Sequence, residues 1–537
     1  MSKNEKKPSF LGGAAVLAAA VAIVKIIGAV YKIPFGNIVG SEGQTYFNVA
    51  YNIYNVLLTI STAGLPLAIS KLTSQAHAQG RENQKRKIFR TAIWLFFVLG
   101  LAFSLLMYFG AAQLAALIHE PLGFWPIRAL SPAVFCVCLL ACMRGYTQGQ
   151  GNMTPTAISQ VLEAMCKVCI GLPLAWYVLK LGMGLDLSAA GAILGVTIGT
   201  MLSMVFLMFY LLTHRDHTLG QDTPDSAGAI MRQVLAIGVP ITLSNSAMSI
   251  ITMVDTSNVL GRLQTIPELA DDAATLFGQY QFGMNLINLP PSFVFPVTMS
   301  LIPFAAAALT RRDAVEADRI ISSAFRIIAA LAIPAGVGLS VLGGSALLML
   351  YPAQYTDALA AGPHMRWLGI ACIFICLMNL TNAILQTYGK EKIPIVTVII
   401  GGITKIVLNY LLVGNPDINI HGAPISTLCC YAVIVGLNLI FVWKYSVKKP
   451  HYLQLFAKPV IASVVMGAAA WAVHGLVMQA LTGGEYAYGA NALATLVGIG
   501  AGVVVYFILV IALRILRAED LKGIPHGQTL VRLLHLR

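Results

Sequence analysis

Apolar residues run along this chain in stretches of about 20–25 positions, separated by short polar segments. That length is what a helix needs to cross a bilayer. Backbone polar groups have no water to bond in hydrocarbon, so each stretch must pair its own amides and is predicted to be helical. The pattern predicts helices over 10–33, 46–70, 88–118, 126–148, 155–181, 189–213, 232–260, 275–309, 319–350, 364–387, 393–413, 422–445, 457–480 and 488–516. The expected fold class is an all-α polytopic membrane protein with about 14 transmembrane helices.

Composition agrees with this. Of 537 residues, 57% are hydrophobic and 11% charged, against about 25% charged in soluble domains. The net charge of +13 would raise nucleic acid as a partner were it not for where the charges sit. With a cytoplasmic N-terminus, the inside segments collect Lys71, Arg81, Lys85, Arg86, Lys87, Arg90, Arg311, Lys390 and Lys449, and the outside loops carry Glu42, Glu120, Asp186, Glu268 and Asp357. This is the positive-inside distribution. Both termini are expected in the cytoplasm, and the excess charge is expected to face anionic lipid heads. Nucleic acid is not an expected partner. All nine cysteines fall within predicted helices, and the CxxC of Cys166 and Cys169 has no second ligand pair, so neither disulfides nor a metal site are expected. The basic start followed by Phe10 to Val24 could pass for a signal peptide. A helix at the equivalent place 230 residues later argues for a retained first helix.

That interval of 230 is an internal repeat. Val24-Lys25 corresponds to Val254-Asp255, Asn55 to Asn285, Pro66 to Pro296, Ser70 to Ser300 and Arg81 to Arg311. With slightly different spacing, Tyr146 through Pro155 echoes Gln386 through Pro394. Six helices per copy, an even number, start both copies on the same side, as in parallel repeats that place a substrate site between them. The expected organisation is two parallel six-helix lobes, 1–218 and 230–445, around a central cavity. An extra helix pair, 457–516, and a cytoplasmic tail, 517–537, follow.

Charges inside a membrane are costly and normally face a protein or water-filled interior. The candidates are Lys25, Glu163, Lys167, Asp255 and Lys405. Lys25 lies about 15 residues, roughly 22 Å, into the first helix. It reads as a cationic anchor for phosphate, or as a lysine that snorkels or pairs structurally. Asp255 could couple transport to a cation, neutralise Lys25, or act as an interfacial cap near Arg262. Glu163 and Lys167, spaced i,i+4 with the acid first, favour an internal pair, and Glu163 is a second candidate for ion coupling. Lys405 has no acid four residues before it, which favours a role in binding, and Lys167 and Lys405 join Lys25, Asn55, Asp255 and Asn285 as candidate substrate-binding residues of the cavity. Asn55 and Asn285, with Asn52, Asn382 and Asn409, supply uncharged polar groups that suit sugar hydroxyls or interhelical hydrogen bonds. No nucleophile elbow, phosphate loop or carboxylate pair points to an enzyme, and no catalytic residue is assigned.

The segment from Lys25 through Gly28, Tyr31, Lys32 and Pro34 leads into Asn37-Ile-Val-Gly40. Gly43, Tyr46, Tyr51 and Tyr54 follow, then Ser61-Thr-Ala-Gly64-Leu-Pro66-Leu-Ala-Ile-Ser70-Lys71. This resembles the stage V sporulation protein B-type polysaccharide biosynthesis proteins. They belong to the multidrug/oligosaccharidyl-lipid/polysaccharide exporter superfamily and are related to the MurJ-type lipid II flippases. The resemblance implies a flippase, not an enzyme, that moves an undecaprenyl-linked oligosaccharide or a lipid II-like peptidoglycan precursor across the bacterial inner membrane by alternating access. It also implies that the C-terminal helix pair forms a groove for the lipid tail and that Lys25 stands where the MurJ type has a cavity arginine. Leu58 and Thr59 replace arginines of that type. No cofactor is expected beyond a Na⁺ or H⁺ gradient or the membrane potential, and cell-wall synthesis enzymes are candidate partners. The alternative within the superfamily is a cation-coupled small-molecule (multidrug) antiporter.

Overall fold

The computed structural model describes residues 10–214, 220–294, 298, 305, 308, 309, 311, 313–446 and 449–516. The second half of the helix expected over 275–309 and the tail 517–537 lie largely outside the described residues. Among the described residues every regular element is a helix, and the chain divides into two compact units, Met1–Gly261 and Arg262–Arg537. Eleven runs among the described residues are long and apolar enough to cross a membrane, or twelve if a bent pair within 227–264 is one span. The protein is a multi-pass, all-α membrane protein.

The first unit contains α1 (Phe10–Thr62), α2 (Leu65–Ala78), α3 (Glu82–Phe109), α4 (Ala111–Leu117), α5 (Phe124–Gly149), α6 (Thr154–Cys166), α7 (Leu172–Lys180), α8 (Leu185–Thr213) and most of α9 (Ala227–Gln264). The sequence pattern places two helices where α1 forms one 53-residue run. The difference is one of labelling, because α1 reverses on itself. Tyr31 and Phe47 would be about 24 Å apart along a straight helix, yet their ring centroids are 6.3 Å apart. The reversal is made at Gly40, with φ 70° and ψ −170°, a conformation that a side chain would strain. The turn is so short that no loop separates the limbs. Aromatic rings fill the space between them: Tyr31 stacks on Phe35, and Phe35 lies 4.8 Å from Phe47.

Gly64 ends α1 and admits α9 at backbone distance. A Cβ there would fall 2.0 Å from the Gly238 carbonyl oxygen, and the Gly64 amide donates to Thr242 Oγ1 at 3.2 Å. The segment leading into α9 is bound to the start of α3. Asp222 accepts from the free amides of Asn83 and Gln84, both at 2.9 Å, as a carboxylate at a helix N-terminus should. Arg81 donates to Asp225 Oδ1 at 3.2 Å, and Gln84 exchanges two hydrogen bonds with Asp225.

Between α4 and α5, Glu120 is buried at 5% exposure. Its burial, opposed by a hydrogen bond from the Leu122 amide and reinforced by the Glu42 charge, pushes its carboxyl from 4.5 up to about 7. The folded state therefore holds a proton that the unfolded chain releases near 4.5. The associated stability is complete below that pH and is lost as pH rises through 7. Glu120→Gln should leave the melting temperature unchanged at pH 4 and raise stability by about 2 kcal/mol at pH 8. Thermal unfolding of both proteins across that range measures it.

The second unit contains α10 (Ala273–Ile287), α11 (Ala314–Leu350), α12 (Tyr355–Ala361), α13 (Met365–Thr387), α14 (Lys392–Leu412), α15 (Gly422–Tyr445), α16 (Tyr452–Thr482) and α17 (Tyr488–Ala512). Helices α16 and α17, the pair without a partner in the repeat, pack on each other and along α11. Tyr506 donates to the Ala330 carbonyl at 2.9 Å, and Asn491 to that of Ser345 at 3.1 Å. Buried amides tie α13, α14 and α15 together. Asn438 donates to Thr381 and Asn382 and accepts from Thr397, while Asn409 accepts from Ser426. Asn382 and Asn409 therefore act as interhelical hydrogen-bonding groups.

Candidate functional site

Inside the first unit, α1, α2, α5, α6 and α8 line an open cavity of about 610 Å³. Among the described residues lining it, Lys25, Arg144 and Lys167 are cationic and Glu163 is the one carboxylate. With all four ionised the cavity carries a net charge of +2. Gln148 and Gln160 add neutral donors and acceptors.

Arg144 sits five residues before the end of α5 and reaches across to α6. Its Nε donates to Ser159 Oγ at 2.9 Å and its Nη2 to Glu163 Oε2 at 3.2 Å. Ser159 and Glu163 are four apart on α6, so one helix face offers both acceptors to one guanidinium. Thr200 of α8 donates to the other carboxylate oxygen at 3.4 Å. Arg144 and Glu163 retain 15% and 25% side-chain exposure, so the pair borders the cavity rather than being sealed behind it.

Lys167 opens a π-helical turn, Lys167–Gly171, between α6 and α7. Its cause is two residues further on. Pro173 has no amide to give the Cys169 carbonyl, and its ring would crowd that oxygen in a regular helix. Widening the preceding turn relieves the conflict and re-aims the side chains there. The turn is seated on α8 through glycine: a Cβ on Gly195 would lie 2.4 Å from the Gly171 nitrogen. The Lys167 ammonium lies 4.6 Å from the Tyr31 ring centroid, 5.5 Å from Phe47 and 4.8 Å from Tyr51. The reversal of α1 at Gly40 is what brings rings from both limbs to one cation. Lys32 lies close enough to repel Lys167.

The structure thus gathers Lys25, Glu163 and Lys167 at one cavity. It does not join Glu163 to Lys167 as their spacing suggested, because the guanidinium of Arg144 takes the carboxylate and the ammonium turns to the rings. Asn55, half-buried, and Asp255, buried on α9, belong to the same unit but are not among the cavity's lining residues. Asn285 is buried on α10 of the second unit beside Tyr351, and Lys405 is half-buried on α14 of that unit. Sequence reasoning missed Arg144. Its signal was an arginine inside an apolar helix, followed by Ser159 and Glu163 at one-turn spacing on the next.

The chain resembles curated proteins along most of its length. Stage V sporulation protein B of Bacillus subtilis (strain 168) is 24% identical over 539 residues, covering 98% of this chain and all of that one. Lipid II flippase MurJ of the same organism is 26% identical over 422 residues, 75% of this chain and 77% of the relative. A solved lipid II flippase MurJ in an inward closed conformation shares the fold, with a TM-score of 0.70 at 17% identity, spanning 93% of this chain and 99% of that one. Fold and relatives define the class of the chain, a membrane transport protein rather than an enzyme. Within it, the chain belongs to the polysaccharide biosynthesis protein family, whose model matches residues 10–309.

Proposed function

We propose that this protein flips an undecaprenyl-linked oligosaccharide, or a lipid II-like peptidoglycan precursor, from the inner to the outer leaflet of the bacterial cell membrane by alternating access. Both termini face the cytoplasm in this reading. The observation that carries it is the charge of the cavity: Lys25, Arg144 and Lys167 stand against Glu163 alone. A diphosphate is the part of such a cargo that complements this charge, and a guanidinium fork suits phosphate oxygens. The glutamines Gln148 and Gln160 suit sugar hydroxyls, and the polyprenyl tail remains in lipid. The driving force is a Na⁺ or H⁺ gradient or the membrane potential, distinguished by imposing each in turn on reconstituted vesicles.

Lys25→Ala tests the assignment. Proteoliposomes with equal amounts of wild type or variant and a fluorescent undecaprenyl diphosphate-linked sugar should show flipping slowed at least tenfold. An unchanged rate removes Lys25 from the mechanism. The alternative is a cation-coupled small-molecule antiporter, favoured by the buried carboxylate of Asp255. It predicts instead that Asp255→Asn abolishes transport while Lys25→Ala does not. A net positive cavity disfavours cationic drugs as its substrates.

A further inference from the structure

A second concavity of the first unit, distinct from the cavity lined by Lys25, lies where the start of α3 meets the ends of α5 and α8. It is a groove of about 420 Å³, within the roughly 300–1,000 Å³ of small-ligand sites. Its walls are apolar: Phe89, Ile93 and Phe97 follow one another at four-residue spacing on α3 and face Leu139 of α5 and Met204 and Met208 of α8. Its mouth is basic, formed by Lys85, Arg86 and Arg90. Lys85 is paired with Glu82 at 2.5 Å. Arg90 is exposed and has no ion pair among the described residues. Arg86 and Arg90 also border a neighbouring groove of about 550 Å³ on the other flank of α3, together with Lys87 and Trp94. Trp94, one turn beyond Arg90, is 68% exposed. An exposed tryptophan one turn from a row of cations marks the headgroup level of a membrane.

Polarity therefore changes along this groove in one direction, from cations at the interface to thioethers and rings toward the hydrocarbon. That is the polarity profile of a single glycerophospholipid molecule. We propose that the groove between α3, α5 and α8 is a binding site for an anionic phospholipid of the surrounding bilayer. The phosphate and headgroup rest on Arg90 and Arg86, and one acyl chain lies along Ile93, Phe97, Met204 and Met208. Charge decides the class of lipid. A zwitterionic head would bring its own ammonium to a mouth that already presents Arg86 and Arg90, whereas a phosphatidylglycerol head brings only the negative charge. Methionine walls suit acyl chains of variable shape, because the unbranched thioether adjusts to what it meets. The positive-inside distribution assigns this end of the bundle to the cytoplasmic face, where each cation near an anionic surface contributes about fivefold in affinity.

The test uses the full-length protein in detergent micelles, titrated with phosphatidylglycerol or phosphatidylcholine of identical chains, with bound lipid counted by native mass spectrometry. Wild type should take up one phosphatidylglycerol at least tenfold more tightly than phosphatidylcholine. Arg90→Gln should weaken that binding about fivefold, Arg86→Gln/Arg90→Gln further, and Arg90→Lys should restore most of it. Met208→Trp, which fills the groove without altering charge, should also abolish the tight site. Melting temperatures within a few degrees of wild type identify the variants to be compared, and Arg90→Lys and Met208→Trp provide independent arms should the double variant not fold. Equal binding of the two lipids, or phosphatidylglycerol binding unaffected by Arg90→Gln, overturns the proposal. So does tight binding that persists in Met208→Trp, which would locate the lipid on the charged surface alone. Displacement by millimolar inorganic phosphate also overturns it, since the site would then recognise a free anion. The cavity lined by Lys25 is an independent control: Lys25→Ala should leave phosphatidylglycerol binding unchanged, whatever its effect on flipping.

Discussion

Arg144→Ala should abolish flipping and destabilise the protein by about 2–3 kcal/mol, somewhat less than the roughly 3–5 kcal/mol lost when one partner is taken from a fully buried pair. The discount follows from the residual exposure of both side chains, 15% and 25%. Removing the guanidinium strands Glu163 with only the 3.4 Å contact from Thr200 and leaves Ser159 without its charged donor. A loss of transport in this variant alone would not separate stability from function. Arg144→Met/Glu163→Leu does so. Exchanging an ion pair for apolar groups of similar volume is often neutral for stability, so this double variant should melt near the wild type. If the proposed function holds, it should still flip at least tenfold more slowly, because the cavity has lost the guanidinium assigned to the diphosphate and not merely a structural tie. Wild-type flipping by the double variant would show that the Arg144 charge has no part in transport. Differential scanning fluorimetry and the vesicle assay on the same preparations supply both readings.

The second large effect is expected at a residue with no functional group. Gly195→Ala adds one methyl group where a Cβ would sit 2.4 Å from the nitrogen of Gly171. The obstacle is backbone, which cannot rotate away as a side chain tip can, so α8 and the π turn must separate. Overpacking of this kind costs about 1–3 kcal/mol. The separation should also carry Lys167 off its rings, since Lys167 and Gly171 are the two ends of the same turn. Flipping should therefore fall more than the drop in melting temperature explains. Leu194→Ala, next door but 40% exposed, should change neither quantity appreciably. Equal losses in the two variants would mean that the glycine contact has no special bearing on the site.

The apolar runs determined most of the fold because hydrocarbon leaves the backbone one local option, and run length alone then places the helices. The helix expected over 126–148 is Phe124–Gly149, and that over 422–445 is Gly422–Tyr445. Single-residue events within a run were not legible. The helices expected over 10–33 and 46–70 leave 34–45 between them, a stretch that holds Pro34, Gly36, Gly40 and Gly43. One residue, Gly40, makes the reversal, and the others remain helical. The π turn shifts the helical register by one position, which a hydropathy pattern cannot register. At the site, Glu163 and Lys167 were legible as charges in a membrane, but their pairing was not. An i,i+4 spacing permits a contact without requiring it, and the competing guanidinium lies on another helix. Arg144 was passed over because a cation near the end of a span is also what the positive-inside rule supplies.

The rings around Lys167 have a consequence for how this site can act at a distance. A carboxylate partner holds an ammonium by cancelling it, so the pair presents little more than a dipole to anything approaching. An aromatic face attracts through its quadrupole and has no net charge of its own. A protonated Lys167 can therefore be fixed in place by Tyr31, Phe47 and Tyr51 without having its charge cancelled by them. A visiting anion would feel that charge before any hydrogen bond forms and need displace no rival carboxylate from Lys167 to reach it.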